Sequence, residues 1–400
     1  MILKKYIFIF ITSILATSIP CYAKNEKVIH YIYLGKDYPS APPLSLLEKI
    51  LTDEGVQGAR LSLKVNNQMG RMFDYKFELK EIIVAKDEDP VESVKNHLQQ
   101  SSKLIIADLN SKDLIKLANF PATKDAIILN INAEDDYLRV SECRNNVFHI
   151  IPSLSMRTDA LAQYLIWKKW NKWFLVSGKH QIDKDYVKAV RRSAKKFGAK
   201  IVEERSYKLE TGNKRVDSGH QQIQTQMPML TRGAKNHDVV FVADLNESFG
   251  LYLPYRTAEP RPVVGTYGLV ASAWHRSFEQ YAGTQLQNAF EEFAGRIMTE
   301  KDYLAWLAVK LLGNAIIRTK SLEPASLQPY ILADDLNLSA YKGRPLSFRK
   351  WNQQLRQPIL ISSDRALVSV SPQEGFLHPK FYTDTLGFDK PESKCNLSNS

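Results

Sequence analysis

Oxygen- and amide-bearing side chains stand directly after short apolar runs at four places in the chain. Asp108-Leu109-Asn110 follows Leu104–Ala107, and Asn130-Ile131-Asn132-Ala133-Glu134-Asp135-Asp136 follows Ala126–Leu129. Asp244-Leu245-Asn246-Glu247 follows Val239–Ala243, and Thr266-Tyr267 follows Val263-Val264. Carboxylates and amides at the carboxyl ends of strands are placed to hold a ligand, because open α/β sheets bind there. The same residue types cap the helices that follow such strands, so each has a structural alternative. Tyr252 and Tyr267 can add apolar walls. The expected ligand-binding set is therefore Asp108, Leu109, Asn110, Asn130, Asn132, Asp244, Glu247, Tyr252 and Tyr267.

Catalysis has no comparable signal. The sequence contains no Gly-x-Ser-x-Gly elbow, His-Glu-x-x-His pair, phosphate loop or Gly-x-Gly-x-x-Gly fingerprint. His149, His180, His220, His237, His275 and His378 are isolated from one another. The chain is read as a binding protein that is not an enzyme and carries no cofactor and no resident metal.

The elements that position these clusters follow from periodicity. Val28–Leu34 reads as a strand stopped by Gly35, Tyr75–Val84 as a second, and Pro90–Gln99 as a helix capped by Asp89. Leu44–Val65 has helical spacing broken by glycines. Leu104–Ala107 and Ala126–Leu129 are apolar on both faces and flank a helical segment, Asp113–Leu117, which is the pattern of a parallel sheet covered on both sides. The pattern restarts after Pro152: strands at Trp173–Val176, Ile201-Val202, Val239–Ala243 and Pro262–Gly265, and helices at Asp183–Phe197 and Tyr303–Ile317. Two doubly wound α/β lobes are expected. Trp167, Trp170 and Trp173, spaced among Lys168, Lys169 and Lys172, are expected to pack along one helical edge with the lysines in water.

The chain has 400 residues and a net charge of +11, but no block of five or six like charges, so the excess is read as a solvated surface and not as a nucleic-acid site. Residues 1–23 have Lys4-Lys5, an apolar run from Ile7 to Ala16, and small residues at Cys21 and Ala23, the pattern of a secretory signal peptide cleaved after Ala23. Export to a compartment that permits disulfides, the periplasm, would leave Cys143 and Cys395, which are expected to pair; two free thiols are the alternative.

Several segments carry a family likeness. Val147-Phe148-His149-Ile150-Ile151-Pro152-Ser153, leading into a helix with Asp159 and Ala162, resembles the type I periplasmic solute-binding proteins, the branched-chain-amino-acid-type receptors of ABC importers. Further segments resemble one subgroup, the substrate-binding proteins associated with pyrroloquinoline quinone (PQQ)-dependent alcohol oxidation. These are Tyr33-Leu34-Gly35 with Pro42-Pro43-Leu44-Ser45, Gly55–Arg60, Trp351–Pro358, and His378-Pro379-Lys380 with Leu386–Asp389.

The resemblance implies two lobes joined by three crossing segments and closing on a small polar ligand, with an ABC permease of the inner membrane as partner. A periplasmic sensor or accessory protein of the alcohol dehydrogenase system is the alternative. Such proteins are usually monomers. The implied layout is a first lobe of 24–150 plus about 297–337, a second of 154–290 plus about 343–375, and a tail of 376–400. The crossings are expected near Pro152, Phe290–Ile297 and Leu338–Gly343. Amino-acid receptors place a small Gly/Ser-rich loop where this chain has Asp108-Leu109-Asn110-Ser111, and a carboxylate at Asp108 repels a ligand carboxylate unless it is neutralised. An amine, a polyol or a hard cation suits these acids better.

Overall fold

A computed structural model describes residues 26–39, 50–98, 103–207 and 219–397. The expected signal peptide, and the Pro42–Ser45 stretch, lie outside them.

The first half builds one βα lobe: β1 (Lys27–Lys36), α1 (Val56–Gly70), β2 (Tyr75–Val84), α2 (Pro90–Leu98), β3 (Leu104–Asp108), α3 (Ser111–Ala118), β4 (Ile127–Asn130), the single turn α4 (Tyr137–Val140) and β5 (Val147–His149). Its sheet has the order β2-β1-β3-β4-β5 and is parallel throughout. Side chains alternate across a strand, and here both faces are buried. Ile29, Tyr31 and Tyr33 enter one core, while Ile32 and Leu34 enter the other with Val94, Leu114 and Leu117 of the covering helices. This two-sided burial explains the unbroken apolar runs in the sequence.

The second lobe comprises α5 (Leu154–Trp167), β6 (Lys172–Ser177), α6 (Gln181–Phe197), β7 (Lys200–Ser206), α7 (Gly219–Thr231), β8 (Val239–Ala243), β9 (Val263–Gly265) and β10 (Leu269–Ser272). The chain then adds α8 (Gly283–Ala294), α9 (Glu300–Thr319) and α10 (Pro324–Ile331), a small ribbon of β11 (Ser347–Phe348) and β12 (Leu355–Arg356), and finally β13 (Ile359–Ser362) and β14 (Leu367–Ser371). The second sheet runs β14-β13-β10-β9-β8-β6-β7. It is parallel from β10 to β7, but β13 is antiparallel to both its neighbours. β13 and β14 are joined by a short turn, which permits only an antiparallel pair between them. The two doubly wound lobes are thus present, the second with an antiparallel edge.

Two of the three crossings differ from the expected places. The first runs from β5 to α5 through Pro152. The second falls directly after β10, because Ala273, Trp274, Phe278, Leu286 and Phe290 all belong to the first lobe's core. It therefore precedes Phe290–Ile297 by about one helix. The third falls at Arg356–Pro358: Leu338, Ala340, Leu346, Phe348 and Leu355 pack in the first core, whereas Ile359 and Ile361 pack in the second. Leu338–Gly343 is inside the first lobe. The amphipathic patterns of α8 and of the β11–β12 ribbon require burial but carry no mark of which core receives them.

The crossings are held together by buried amides. Gln354 Nε2 donates to the carbonyls of His149 and Ile151, at 3.2 and 3.0 Å, and Gln357 Nε2 donates to Ile150 O at 2.6 Å. Buried Arg139 donates to Gln354 Oε1 and to the carbonyls of Ala133, Asp135 and Ile151. Such a network satisfies exposed carbonyls where strands end and the chain changes lobe.

Cys143 and Cys395 form the expected disulfide, with Cα atoms 5.6 Å apart. On the way to Cys395 the tail crosses the second lobe. There Gly387 N donates to the buried Asp159 carboxylate at 2.8 Å, and Arg192 of α6 donates to Gly387 O. The tryptophans do not share a helical edge: Trp167 ends α5 and is exposed, Trp170 lies in the turn, and Trp173 is fully buried in β6. No helix among the described residues is long and apolar enough to cross a membrane.

Candidate functional site

The carboxyl ends of both sheets meet at a cavity of about 230 Å³. The first lobe contributes Glu134, which follows β4, and Glu300, the first residue of α9. The second lobe contributes Arg157 of α5, Tyr186 of α6, Asp244, Leu245 and Glu247 after β8, and Gly265, Thr266 and Tyr267 after β9. Val270 and Ala271 of β10 complete the wall. Gly265 is required here. Its φ of +120° suits glycine, and a Cβ would meet Val242 O at 2.2 Å.

Charge is concentrated at the lobe junction. Arg157 donates to Glu134 at 2.7 Å, to both Glu300 oxygens at 3.0 Å and to Ala271 O at 2.9 Å. Glu300 also accepts from Ala273 N. One guanidinium therefore ties an acid of each first-lobe segment to the second crossing. Burial raises the Glu134 carboxyl above its usual value; Arg157 opposes this and the neighbouring Glu300 adds to it. Burial alone would pull Arg157 down, but Glu134 and Glu300 together hold it above the usual arginine value.

The nine expected ligand residues divide. Asp244, Glu247 and Tyr267 line the cleft. Asp244 is also structural, since its carboxylate accepts from the backbone N–H groups of Ser248, Phe249 and Gly250 at 3.0, 2.8 and 2.6 Å. Asp108 accepts from the Tyr33 hydroxyl at 3.0 Å and pairs with Lys301 at 3.4 Å, so its charge is neutralised inside the first lobe. Burial lowers the Lys301 pKa, but Asp108 and Glu54 outweigh it and leave the ammonium above its ordinary value.

Leu109 is fully buried in the first lobe's core and offers no surface to a ligand. Asn130 is also fully buried: its amide closes the turn onto Asn132 N and Ala133 N and meets His149 Nδ1 at 3.0 Å. Asn132 is half-buried in that turn and Tyr252 packs against the second lobe's outer core; neither lines the cavity.

Asn110 is the N-cap of α3, with its Oδ1 accepting from Asp113 N at 2.9 Å. Replacing Asn110 with alanine should therefore lower stability by about 1 kcal/mol and leave ligand affinity unchanged. Urea unfolding beside calorimetric titration would read both, and a large affinity loss without destabilisation would return Asn110 to the site.

Sequence reasoning missed Arg157, Glu300 and Tyr186. Each sits within a helix whose pattern signals packing, and nothing local marks its partner across the lobes. Among the described residues, no group of three His, Cys, Asp or Glu side chains is arranged to hold a metal ion. A second groove, about 330 Å³, is lined by Tyr137 and Ser141 of the first lobe, Lys188 and Arg192 of α6 and Phe388 of the tail. It is larger, but it misses the strand ends of the second sheet.

Residues 52–361 match the family model described as periplasmic binding protein. No curated protein matches the chain in sequence. Solved structures resemble it closely in fold at low identity. A branched-chain amino acid ABC transporter periplasmic ligand-binding protein from Burkholderia xenovorans superposes with a TM-score of 0.70 at 12% identity, over 93% of this chain and 100% of its own. A leucine-, isoleucine-, valine-, threonine- and alanine-binding protein from Brucella ovis, in a closed conformation, gives 0.65 at 16%, over 92% and 98%. A solute-binding protein of an ABC transporter from Rhodopseudomonas palustris, in complex with 3,4-dihydroxybenzoic acid, gives 0.59 at 11%, over 86% and 97%.

Proposed function

Because the chain belongs to the periplasmic binding protein family, we propose that it is the solute-binding component of an ABC importer and captures a small polar ligand between its lobes. The observation that carries this reading is the cavity at which the carboxyl ends of both sheets meet, spanned by Arg157 and two first-lobe acids. A ligand that touches both walls favours the closed arrangement through its differential affinity for it. The closed form then docks on an inner-membrane permease. The ligand-facing residues in this reading are Glu134, Tyr186, Asp244, Glu247, Tyr267 and Glu300. The protein acts in the periplasm as a monomer after loss of residues 1–23, and without catalysis.

The link to PQQ-dependent alcohol oxidation rests on the likeness of Gly55–Arg60, Trp351–Pro358 and Leu386–Asp389 to that subgroup. It makes a separate expectation: a strain lacking the protein should grow poorly on short alcohols and normally on sugars.

Native mass spectrometry of protein purified from the periplasm without denaturation tests the receptor reading. An extra mass that disappears on denaturation is the expected result. A bare chain that also shows no thermal stabilisation by amines, alcohols, acids or metal ions would favour the accessory role, since a true ligand at 100 times its dissociation constant adds about 2.7 kcal/mol.

A further inference from the structure

We propose that the C-terminal tail is a strap that limits how far the two lobes open. Side chains fasten it to the second lobe, and the Cys143–Cys395 disulfide fastens it to the first. The inference rests on the lobe-closing reading above and adds a fourth connection to the three crossings.

The second-lobe anchor is buried. Leu386 is fully enclosed in the core of that lobe. Beside it, Gly387 N donates to the fully buried Asp159 at 2.8 Å, and Gly387 O accepts from Arg192 at 2.9 Å and from Lys196 at 3.0 Å. The Arg192 guanidinium also lies 4.1 Å from the centre of the Phe388 ring. The first-lobe anchor differs in kind. The Ser393 hydroxyl lies 3.3 Å from the carbonyls of both Arg139 and Val140, and Lys394 N donates to Val140 O at 2.9 Å. A few half-exposed hydrogen bonds gain little over those made with water. The disulfide, closing 252 residues of sequence, is what makes this end permanent.

Between the anchors the chain is short and partly wound. Lys390–Glu392 form one 3₁₀ turn, with extended backbone at Asp389 before it and Ser393 after it. Glu392 keeps the turn wound on α6, accepting from Asp389 N at 2.8 Å and from Arg192 at 2.7 Å. A 3₁₀ turn rises about 2.0 Å per residue against about 3.3 Å for extended chain, so unwinding it adds about 4 Å of reach.

The strap is placed to feel lobe opening. Phe388 lines the 330 Å³ groove together with Val140 and Ser141 of the first lobe, Leu154 at the first crossing, and Lys188 of α6. That groove adjoins the ligand cavity: Asp135 and Asp185 line the one, and their chain neighbours Glu134 and Tyr186 line the other. Opening that widens the groove therefore draws α4 and α6 apart, and with them the two anchors. The first-lobe anchor also touches the third crossing, since Cys395 Sγ lies 3.1 Å from Trp351 O and Asn352 Nδ2 lies 3.5 Å from Arg139 O. Close to a hinge the lever arm is short, so a few ångströms of strap govern a wide angle. A ligand-free protein held near its closed arrangement loses less affinity to the cost of closing.

Pulsed electron paramagnetic resonance on the ligand-free, full-length exported chain tests the strap. Spin labels are attached through genetically encoded azides at Lys112 of α3 and Lys184 of α6, which leaves the disulfide intact; both positions are exposed. Cys143→Ser with Cys395→Ser should shift the distance distribution to longer values and broaden it. The same shift is expected when the folded wild type is reduced with a water-soluble phosphine, which covers a variant that fails to fold by circular dichroism. The disulfide borders an open groove lined by Lys124, Arg144 and Lys394, so the reagent has access. A Gly-Ser insertion of about six residues between Asp389 and Lys390, with the disulfide retained, should also lengthen the distance, because a slack strap no longer restrains.

Distances that are unchanged or shorter after loss of the disulfide would overturn the proposal. So would a shift on disulfide loss that the insertion fails to reproduce, because the bond would then act through the first lobe alone. Ligand capture is judged separately by native mass spectrometry. A bound mass with unaltered distances retains the receptor and discards the strap.

Discussion

Replacing Arg157 with methionine should destabilise the protein by about 3–5 kcal/mol at neutral pH, the cost of leaving buried charges without their partner. Methionine keeps much of the side chain's volume and removes the charge. The Arg157 side chain is 9% exposed, and those of Glu134 and Glu300 are 26% and 25% exposed. Without the guanidinium these two carboxylates confront each other at the lobe junction, and Ala271 O at the second crossing loses its donor. The effect should shrink at acid pH. The folded Glu134 carboxyl already sits above its usual value, and without Arg157 it rises further, so protonation relieves the repulsion first. Urea unfolding of wild type and variant at pH 7 and pH 5 measures both expectations. Adding Glu300→Gln to the variant should restore part of the loss. A loss under 1 kcal/mol would mean that water entering the cleft solvates the acids and that the triad behaves as a surface pair.

The elements of this fold are legible in the sequence because their signals are local. Leu104–Ala107 and Ala126–Leu129 announce strands buried on both faces, and α6 announces itself by Val187, Val190, Ala194 and Phe197 with Gly198 as its left-handed stop at φ +77°. The cysteine pair was legible because the expected export leaves two cysteines with no metal-ligand pattern beside them. The second and third crossings were not, since residues such as Leu286 and Phe290 fit either core equally well by pattern. The site was half legible. Strand ends line the cavity between the lobes, and Asp244, Glu247 and Tyr267 are among its walls. Yet an Asn that caps a helix and an Asn that holds a ligand have the same chemistry, and Asn110 and Asn130 proved structural. Arg157 and Glu300 are 143 residues apart, and no local pattern encodes that meeting. Asp108 illustrates the same limit: its sequence position suggested a bare carboxylate, and only the fold supplies Lys301.

The second crossing is held by three charged side chains, and one of them makes its strength depend on pH. Arg157 grips Ala271 O, Glu300 grips Ala273 N, and the buried Lys342 donates to Ala273 O. The Lys342 amine lies 5.1 Å from the centre of the Tyr303 ring and 5.5 Å from that of Phe278. Burial pulls its pKa down from 10.5 to about 7, against the pull of Glu300. In the unfolded chain the same amine keeps its proton until about pH 10.4. Between these limits the unfolded state binds one proton more than the folded state, so stability rises with pH across the window. Below pH 7 both states are protonated and the folded protein bears the full cost of a buried ammonium. The stability of wild type relative to Lys342→Met should therefore increase by about 2–3 kcal/mol between pH 7 and pH 9. Denaturant unfolding of both proteins at half-unit pH steps gives this difference directly, because titrations elsewhere in the chain cancel between them. Parallel curves would show that Lys342 stays charged in the folded protein, held so by Glu300. The crossing would then be fastened by charge at every pH, and the lobes would lose a pH-dependent element in their hinge.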